Sequence, residues 1–444
     1  MARQTLTRRV ILWAAVAIGA FCVSMAAASL ALHAYGAHRL SRSQAAFSDH
    51  WGRYIQQTPT AVSSERDNGA RFMVFGGRAI TCSIDEHRFV AELSGRPAAG
   101  WSDVELARVR WILREQRPAL SILLRAGEAD GFDLGIENRV PNYDDIDFLG
   151  LVRGLRLLTL EARLAWAEGR VEDSLAAIEA ASRSADGLLR TPVVMSLTLG
   201  AAAQRWSLSA AKDIIRDPCA EDDSLLELAA RLPAESAVGA ATTTLATSVA
   251  ELAEEGLAYR DDRHDPSVSW SLPYWISNHF LFEELFLAGV LDRWDRQIEL
   301  GRHPAAGWSS DTIRGIWGGR WWLPGLALTG SFSPNLAAVW VRAQAADTER
   351  LQIALALELR RASDGALTRD ACRSVAASRP TPLTGEPVVC RADPTGRTLV
   401  IDVPGAEATL IRHSAPDNDS ARFESIVLPV GPRPDGCHRT PASG

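Results

Sequence analysis

Lysine is almost missing from this chain: Lys212 is the only one among 47 lysine and arginine residues. So lopsided a choice reads as genomic base bias, and no phosphate-binding inference follows from arginine usage. Positive charge is not in surplus either. The net charge of −7 argues against a nucleic-acid binder, which would need a basic face. No two cysteines form a C-x-x-C pair, which argues against zinc-ribbon and thioredoxin-type chemistry. There is no G-x-S-x-G elbow, no H-E-x-x-H, no P-loop and no G-x-G-x-x-G. No cofactor is therefore expected, and the chemistry of a recognisable enzyme is not written in any local motif.

What is present begins with Val10–Leu32, a run of 23 residues without a charge. As a helix it spans about 34 Å, enough to cross a hydrocarbon core of roughly 30 Å. A helix also pairs its own backbone polar groups inside lipid. Ala26-Ala27-Ala28 offers the alternative of a cleaved signal peptide, but the apolar core is longer than such peptides carry. Arg3, Arg8 and Arg9 precede the run and Arg39 and Arg42 follow it. That bias favours a cytoplasmic N-terminus. The expectation is an anchor in a bacterial inner membrane, with the main body from about Tyr35 extracytoplasmic.

Beyond it lie roughly 400 residues, enough for one large or two medium cores. Of six cysteines, five would face an oxidising space. Cys372–Cys390 is the preferred disulfide, worth on the order of 3 kcal/mol for a loop of that size. The competing reading is that several cysteines are small buried residues.

In chain order, Tyr35 to about Thr60 reads as a helical continuation and polar stalk. Asn68–Arg78 carries an apolar face, and an irregular piece starts at Cys82. Ser102–Ala126 reads as helix, opened by the capping box Ser102/Glu105. Its two apolar stripes, Val104/Ala107/Trp111 and Leu106/Val109/Leu113, predict cover on both sides. Asp130–Asp147 is a loop holding six carboxylates: Asp130, Asp133, Glu137, Asp144, Asp145 and Asp147. It is either a cation loop or a solvated one with Asp147 capping the next helix; the spacing is not that of an EF-hand. Phe148–Gly169 and Val171–Ala185 are helices joined by a turn short enough to force antiparallel packing. Further helices are expected at Pro192–Ile215, Asp222–Leu232, Glu235–Tyr259, Asn278–Leu300 and Ala343–Ala362.

Eight of the 14 tryptophans fall within Asp261–Ala345. They suit a glycan or peptide groove, a membrane-interface belt or core filling under loops. Trp317, Trp321 and Trp322 are the candidate binding residues. His279 and Glu283 share a helix face near them, and His264, Asp262, Asp265 and Glu284 lie close by. No nucleophile or orienting partner accompanies them. Strands are expected at Val388–Ala392 and Thr398–Val403, joined by the turn Asp393–Gly396, then at Ala408–His413 and Arg422–Leu428. The tail from Gly431 is expected to lack structure.

Ala165–Leu175 resembles a tetratricopeptide hairpin, although no 34-residue period recurs. Three features resemble a broad group of bacterial proteins of uncharacterised activity, with one N-terminal anchor and a helical outer region. They are Asp130-Gly131-Phe132-Asp133, the Leu157–Ala181 hairpin and Ala343–Gly365. The run from that last helix to Pro382-Leu383-Thr384-Gly385-Glu386-Pro387 also resembles a type II secretion pseudopilin head. It lacks the prepilin cleavage motif. The resemblance implies a membrane-associated fold and no particular activity.

The fold class is thus read as mainly α. It comprises an N-terminal transmembrane helix, an antiparallel helical-hairpin, tetratricopeptide-like outer domain and a small C-terminal β appendage. The divisions are 1–40 tip and anchor, 41–262 helical hairpins, 263–342 Trp-rich region, 343–430 long helix with sheet, and 431–444 tail. The function these features suggest is a non-enzymatic envelope protein that binds a protein partner or assembles a complex. An envelope hydrolase or glycan/peptide binder using the Trp-rich region is the alternative.

Overall fold

The computed structural model describes residues 2–55, 67–134, 147–191, 194–232, 235–262, 283–309, 336–362, 366–367, 380–413 and 423–432. Among them the chain is mainly helical, with thirteen α-helices and two small antiparallel sheets. The chain divides into two compact units.

One unit comprises residues 1–53, 249–297 and 310–334. Its first helix, α1 (Ala2–Trp51), runs unbroken through the charge-free stretch. Trp13, Ile18, Phe21, Val23 and Leu30 are all more than 60% exposed. This is one helix long and apolar enough to cross a membrane. Its C-terminal third is not the polar stalk read from the sequence. Leu40, Phe47 and Trp51 are buried. Arg39 Nη2 and Ser43 Oγ donate to Asp292 at 3.1 and 2.7 Å, and Trp51 Nε1 donates to Asp295 at 2.8 Å. Residues 39, 43, 47 and 51 recur every four positions, so they share one face of the helix.

The other unit comprises residues 54–248, 298–309 and 335–444. Helix α2 (Gly69–Arg78) precedes α3 (Ile84–Ser94), where the sequence reading expected irregular chain. Ser83 and Glu86 form a capping box that starts α3. Next come α4 (Asp103–Glu115), opened by the expected Ser102/Glu105 box, and α5 (Arg117–Leu124) with Pro118 in its first turn. Only one stripe of α4 is covered. Val109, Ile112 and Leu113 are buried, whereas Val104 is 78% and Trp111 44% exposed, which corrects the expectation of cover on both sides.

Helix α6 (Phe148–Ala167) is capped by Asp147, whose Oδ1 accepts from Gly150 N at 2.7 Å. Its stripe Leu151, Leu155, Leu158, Ala162 and Ala165 is buried, and so are Leu157, Leu160 and Leu164 on the other side. Gly169, at φ 76°, turns the chain into α7 (Val171–Leu189). The linking turn is so short that α6 and α7 pack antiparallel. Where α2 meets α6 the backbones come close: a Cβ on Gly77 would lie 2.6 Å from the Gly150 carbonyl oxygen. Helix α8 (Val194–Arg216) packs on α7, and α9 (Asp222–Arg231) and α10 (Ala237–Asp262) follow. After α11 (Glu283–Arg302), α12 (Ala337–Ala362) lies along α8.

Strands β2 (Val389–Ala392), β3 (Thr398–Asp402) and β4 (Ile426–Pro429) form an antiparallel sheet in that order. Asp393 Oδ1 organises the β2–β3 turn by accepting from Arg397 N and Thr398 N at 2.8 and 3.0 Å. Leu399, Ile401, Ile426 and Leu428 are the sheet's buried residues, and β3 and β4 pack on α12 and α8. The segment read as a strand at Ala408–His413 is instead helix α13 (Ala406–His413). Ala406, Thr409 and Leu410 bury at i, i+3 and i+4, a helical spacing that outweighs the β-branched residues. The tail is not wholly without structure: β1 (Ala366–Leu367) pairs with β5 (Gly431–Pro432).

Cys219 and Cys390 are each disulfide-bonded. Cys372, the partner expected for Cys390, lies outside the described residues. Cys82 is a free thiol.

Candidate functional site

Trp317, Trp321, Trp322, His264 and His279 lie outside the described residues, and Glu283 is the first residue of α11. Three tryptophans of the same region are described; Trp294 of α11 is half-buried and the other two fill core. Trp340 is fully buried and stacks so closely on Gly301 that a Cβ there would sit 2.2 Å from the ring. Trp308 is buried too, with Nε1 donating to the His303 carbonyl at 3.1 Å. Of the acidic loop, residues 135–146 lie outside the described residues. Among the described residues no group of three or more His, Cys, Asp or Glu could hold a metal.

The chemistry in the described residues gathers instead along α8. Arg205, Ser209, Lys212, Asp213 and Arg216 recur at i, i+4, i+7, i+8 and i+11, which places them on one stripe of the helix. On a solvated helix such a stripe faces water. Here α6, α12 and the sheet enclose it, and Lys212 is 1% exposed. Lys212 Nζ lies 3.6 Å from Glu349 Oε1 of α12 and donates to the Glu424 carbonyl at 3.2 Å. It also sits 5.1 Å over the Phe423 ring. Arg205 Nη2 reaches the same Glu349 oxygen at 3.1 Å. Burial depresses the Lys212 pKa and the Glu349 carboxylate opposes that shift.

Arg163 of α6 is wholly buried. Its Nη1 donates to Asp213 Oδ2 at 2.9 Å and its Nη2 to Ser209 Oγ at 2.7 Å. Burial raises the Asp213 pKa, and Arg163 pulls it back down. Arg216 extends the network, with Nη1 donating to Glu424 Oε2 at 3.0 Å and Nη2 to the Ser425 carbonyl at 2.7 Å.

Residues of this network line two cavities. One, of about 590 Å³, lies beside Pro97–Ala99, Trp166, Asp213, Arg216 and Asp217, and Trp166 Nε1 donates to Asp217 Oδ2 at 3.0 Å on its rim. The other, of about 440 Å³, is lined by residues of α3, α6, α8 and α12 together with Glu424. Its walls carry Arg156, Arg205, Lys212 and Arg342 against Glu349 and Glu424. Arg156 lies 5.1 Å over the Trp206 ring. Burial lowers the Arg342 pKa and the neighbouring Arg205 lowers it further. The wall supplies a positive potential and fixed N–H donors, which suit recognition of negative charge.

The sequence reading placed no site on α8. The spacing of its charged residues was available, but spacing does not say whether a stripe meets water or another helix. Comparison with protein-family models, curated proteins and solved structures finds no match to this chain.

Proposed function

We propose that this is a membrane-anchored, extracytoplasmic protein of the bacterial envelope that binds another protein or assembles a complex. In this reading α1 spans the inner membrane with its N-terminus in the cytoplasm. Arg3, Arg8 and Arg9 before the apolar run support that orientation. The disulfide-bonded Cys219 and Cys390 suit an oxidising compartment on the far side.

The observation that carries the binding reading is the bare stripe of α4. Val104, Ala107 and Trp111 are exposed on one side while Val109, Ile112 and Leu113 are buried on the other. A tryptophan in such a patch is a common anchor in protein interfaces. The α6–α7 hairpin, tetratricopeptide-like in its turn sequence, acts here as internal support, because most of its side chains are buried. The likeness of the C-terminal segment to a pseudopilin head points to assembly at the membrane.

The test is in-cell photocrosslinking from position 107 and, as a control, from position 88, with Trp111→Ser introduced alongside each probe. An envelope partner captured at 107, absent at 88 and lost when Trp111→Ser makes the stripe polar supports the proposal. Equal capture at both positions, or none at 107, removes it.

A further inference from the structure

The cavity among α3, α6, α8 and α12 holds more positive charge than its own carboxylates engage. Glu349 is shared by Arg205 and Lys212, at 3.1 and 3.6 Å. Glu424 is held by Arg216 at 3.0 Å. Arg342, which lines the same cavity, pairs with no carboxylate among the described residues. Arg342 is half-buried; a guanidinium partly withdrawn from water without a counter-charge carries a cost, and Arg205 nearby adds like-charge repulsion. An oxyanion between these groups would offset both.

The cavity also has an apolar side. Trp206, Met195 and Leu199 of α8 line it. Its volume of about 440 Å³ falls within the roughly 300–1,000 Å³ of small-ligand sites. An inorganic ion alone would leave most of that space unfilled. The guanidinium fork matches the two oxygens of a carboxylate or phosphate.

We propose that this cavity binds a small organic oxyanion, a carboxylate or phosphate monoester, with its charge at Arg342 and its apolar body against Trp206. This site is separate from the bare stripe of α4, so its success or failure leaves the protein-binding proposal untouched.

The test is calorimetric titration of the full-length protein in detergent with phenyl phosphate, benzoate, inorganic phosphate and phenol. At least one of phenyl phosphate and benzoate should bind, and whichever is tighter identifies the anionic group. Phenol should not bind. Arg342→Gln should weaken the organic anion by about 10-fold or more, the worth of a charged hydrogen bond. Trp206→Ala should weaken phenyl phosphate more than inorganic phosphate. Should Arg342→Gln lose its helical circular dichroism, Arg342→Lys, which keeps the charge and loses the fork, takes its place and should still weaken binding. No binding of either organic anion to the wild-type protein would overturn the proposal. So would equal affinity for phenol, or binding that both Arg342 variants leave unchanged.

Discussion

Arg163 of α6 and Asp213 of α8 form an ion pair at 2.9 Å in which the arginine side chain is 0% and the aspartate 10% exposed. The Nη2 of the same guanidinium donates to Ser209, so one side chain fastens two successive turns of α8 to α6. Breaking a buried pair by removing one partner leaves a charge stranded away from water. The cost is about 3–5 kcal/mol, whereas replacing both partners with apolar residues costs much less. Arg163→Met and Asp213→Leu should therefore each lower stability by about that amount, and Arg163→Met/Asp213→Leu by clearly less than their sum. Urea denaturation of the three variants measures this. Simple additivity would show that the pair is not coupled.

Lys212 and Arg205 share one oxygen of Glu349. Removing that carboxylate leaves two buried cations facing each other, whereas removing Lys212 leaves Glu349 still paired to Arg205. Glu349→Gln should thus cost about 3–5 kcal/mol and Lys212→Met appreciably less. Thermal unfolding of both variants in the same detergent ranks them, and the reverse order would refute the shared-carboxylate account.

Asp186 of α7 gives a pH dependence whose sign can be worked out. Burial raises its pKa from 3.8 to about 6, partly opposed by the hydrogen bond from Gln204 Nε2 at 2.6 Å. The folded protein holds this proton up to about pH 6, whereas an unfolded chain gives it up near pH ~3.9. This group's stabilisation is fully present below the unfolded pKa and is lost as the pH rises through the folded one. Between pH ~7 and ~4 it amounts to about 2 kcal/mol. Asp186→Asn should be more stable than wild type at pH ~7 and lose that advantage toward pH ~4. Melting temperatures of both proteins across that range decide it, since other carboxylates titrate alike in the two. A constant difference at every pH would show that Asp186 ionises normally.

Much of the secondary structure was legible because it rests on neighbours in the chain. The Ser102/Glu105 box, the turn at Gly169 and the Asp393–Gly396 turn all stand where local chemistry places them. Ser83/Glu86 carried the same capping signal as Ser102/Glu105, yet Cys82 and the short run that follows read as irregular. The Ala406–His413 helix was misread because threonine and isoleucine suggested a strand. Its buried i, i+3, i+4 positions became evident only with α12 packed against it. The candidate cavity was not legible at all. Arg205 and Glu349 are 144 positions apart, and no local pattern joins them.

The sequence by itself determined the long charge-free helix, the predominance of helix, the antiparallel α6–α7 turn and the absence of local catalytic motifs. Each depends on hydrophobic run length, helical period or turn chemistry acting within a few residues. Tertiary structure decided which faces are covered. It left Val104 and Trp111 bare, turned the continuation of α1 into a packed helix, and enclosed the charged stripe of α8. The physical reason is that helical spacing sets which residues share a face, whereas burial, and the strength it lends to a charge, depends on what the distant chain lays against that face.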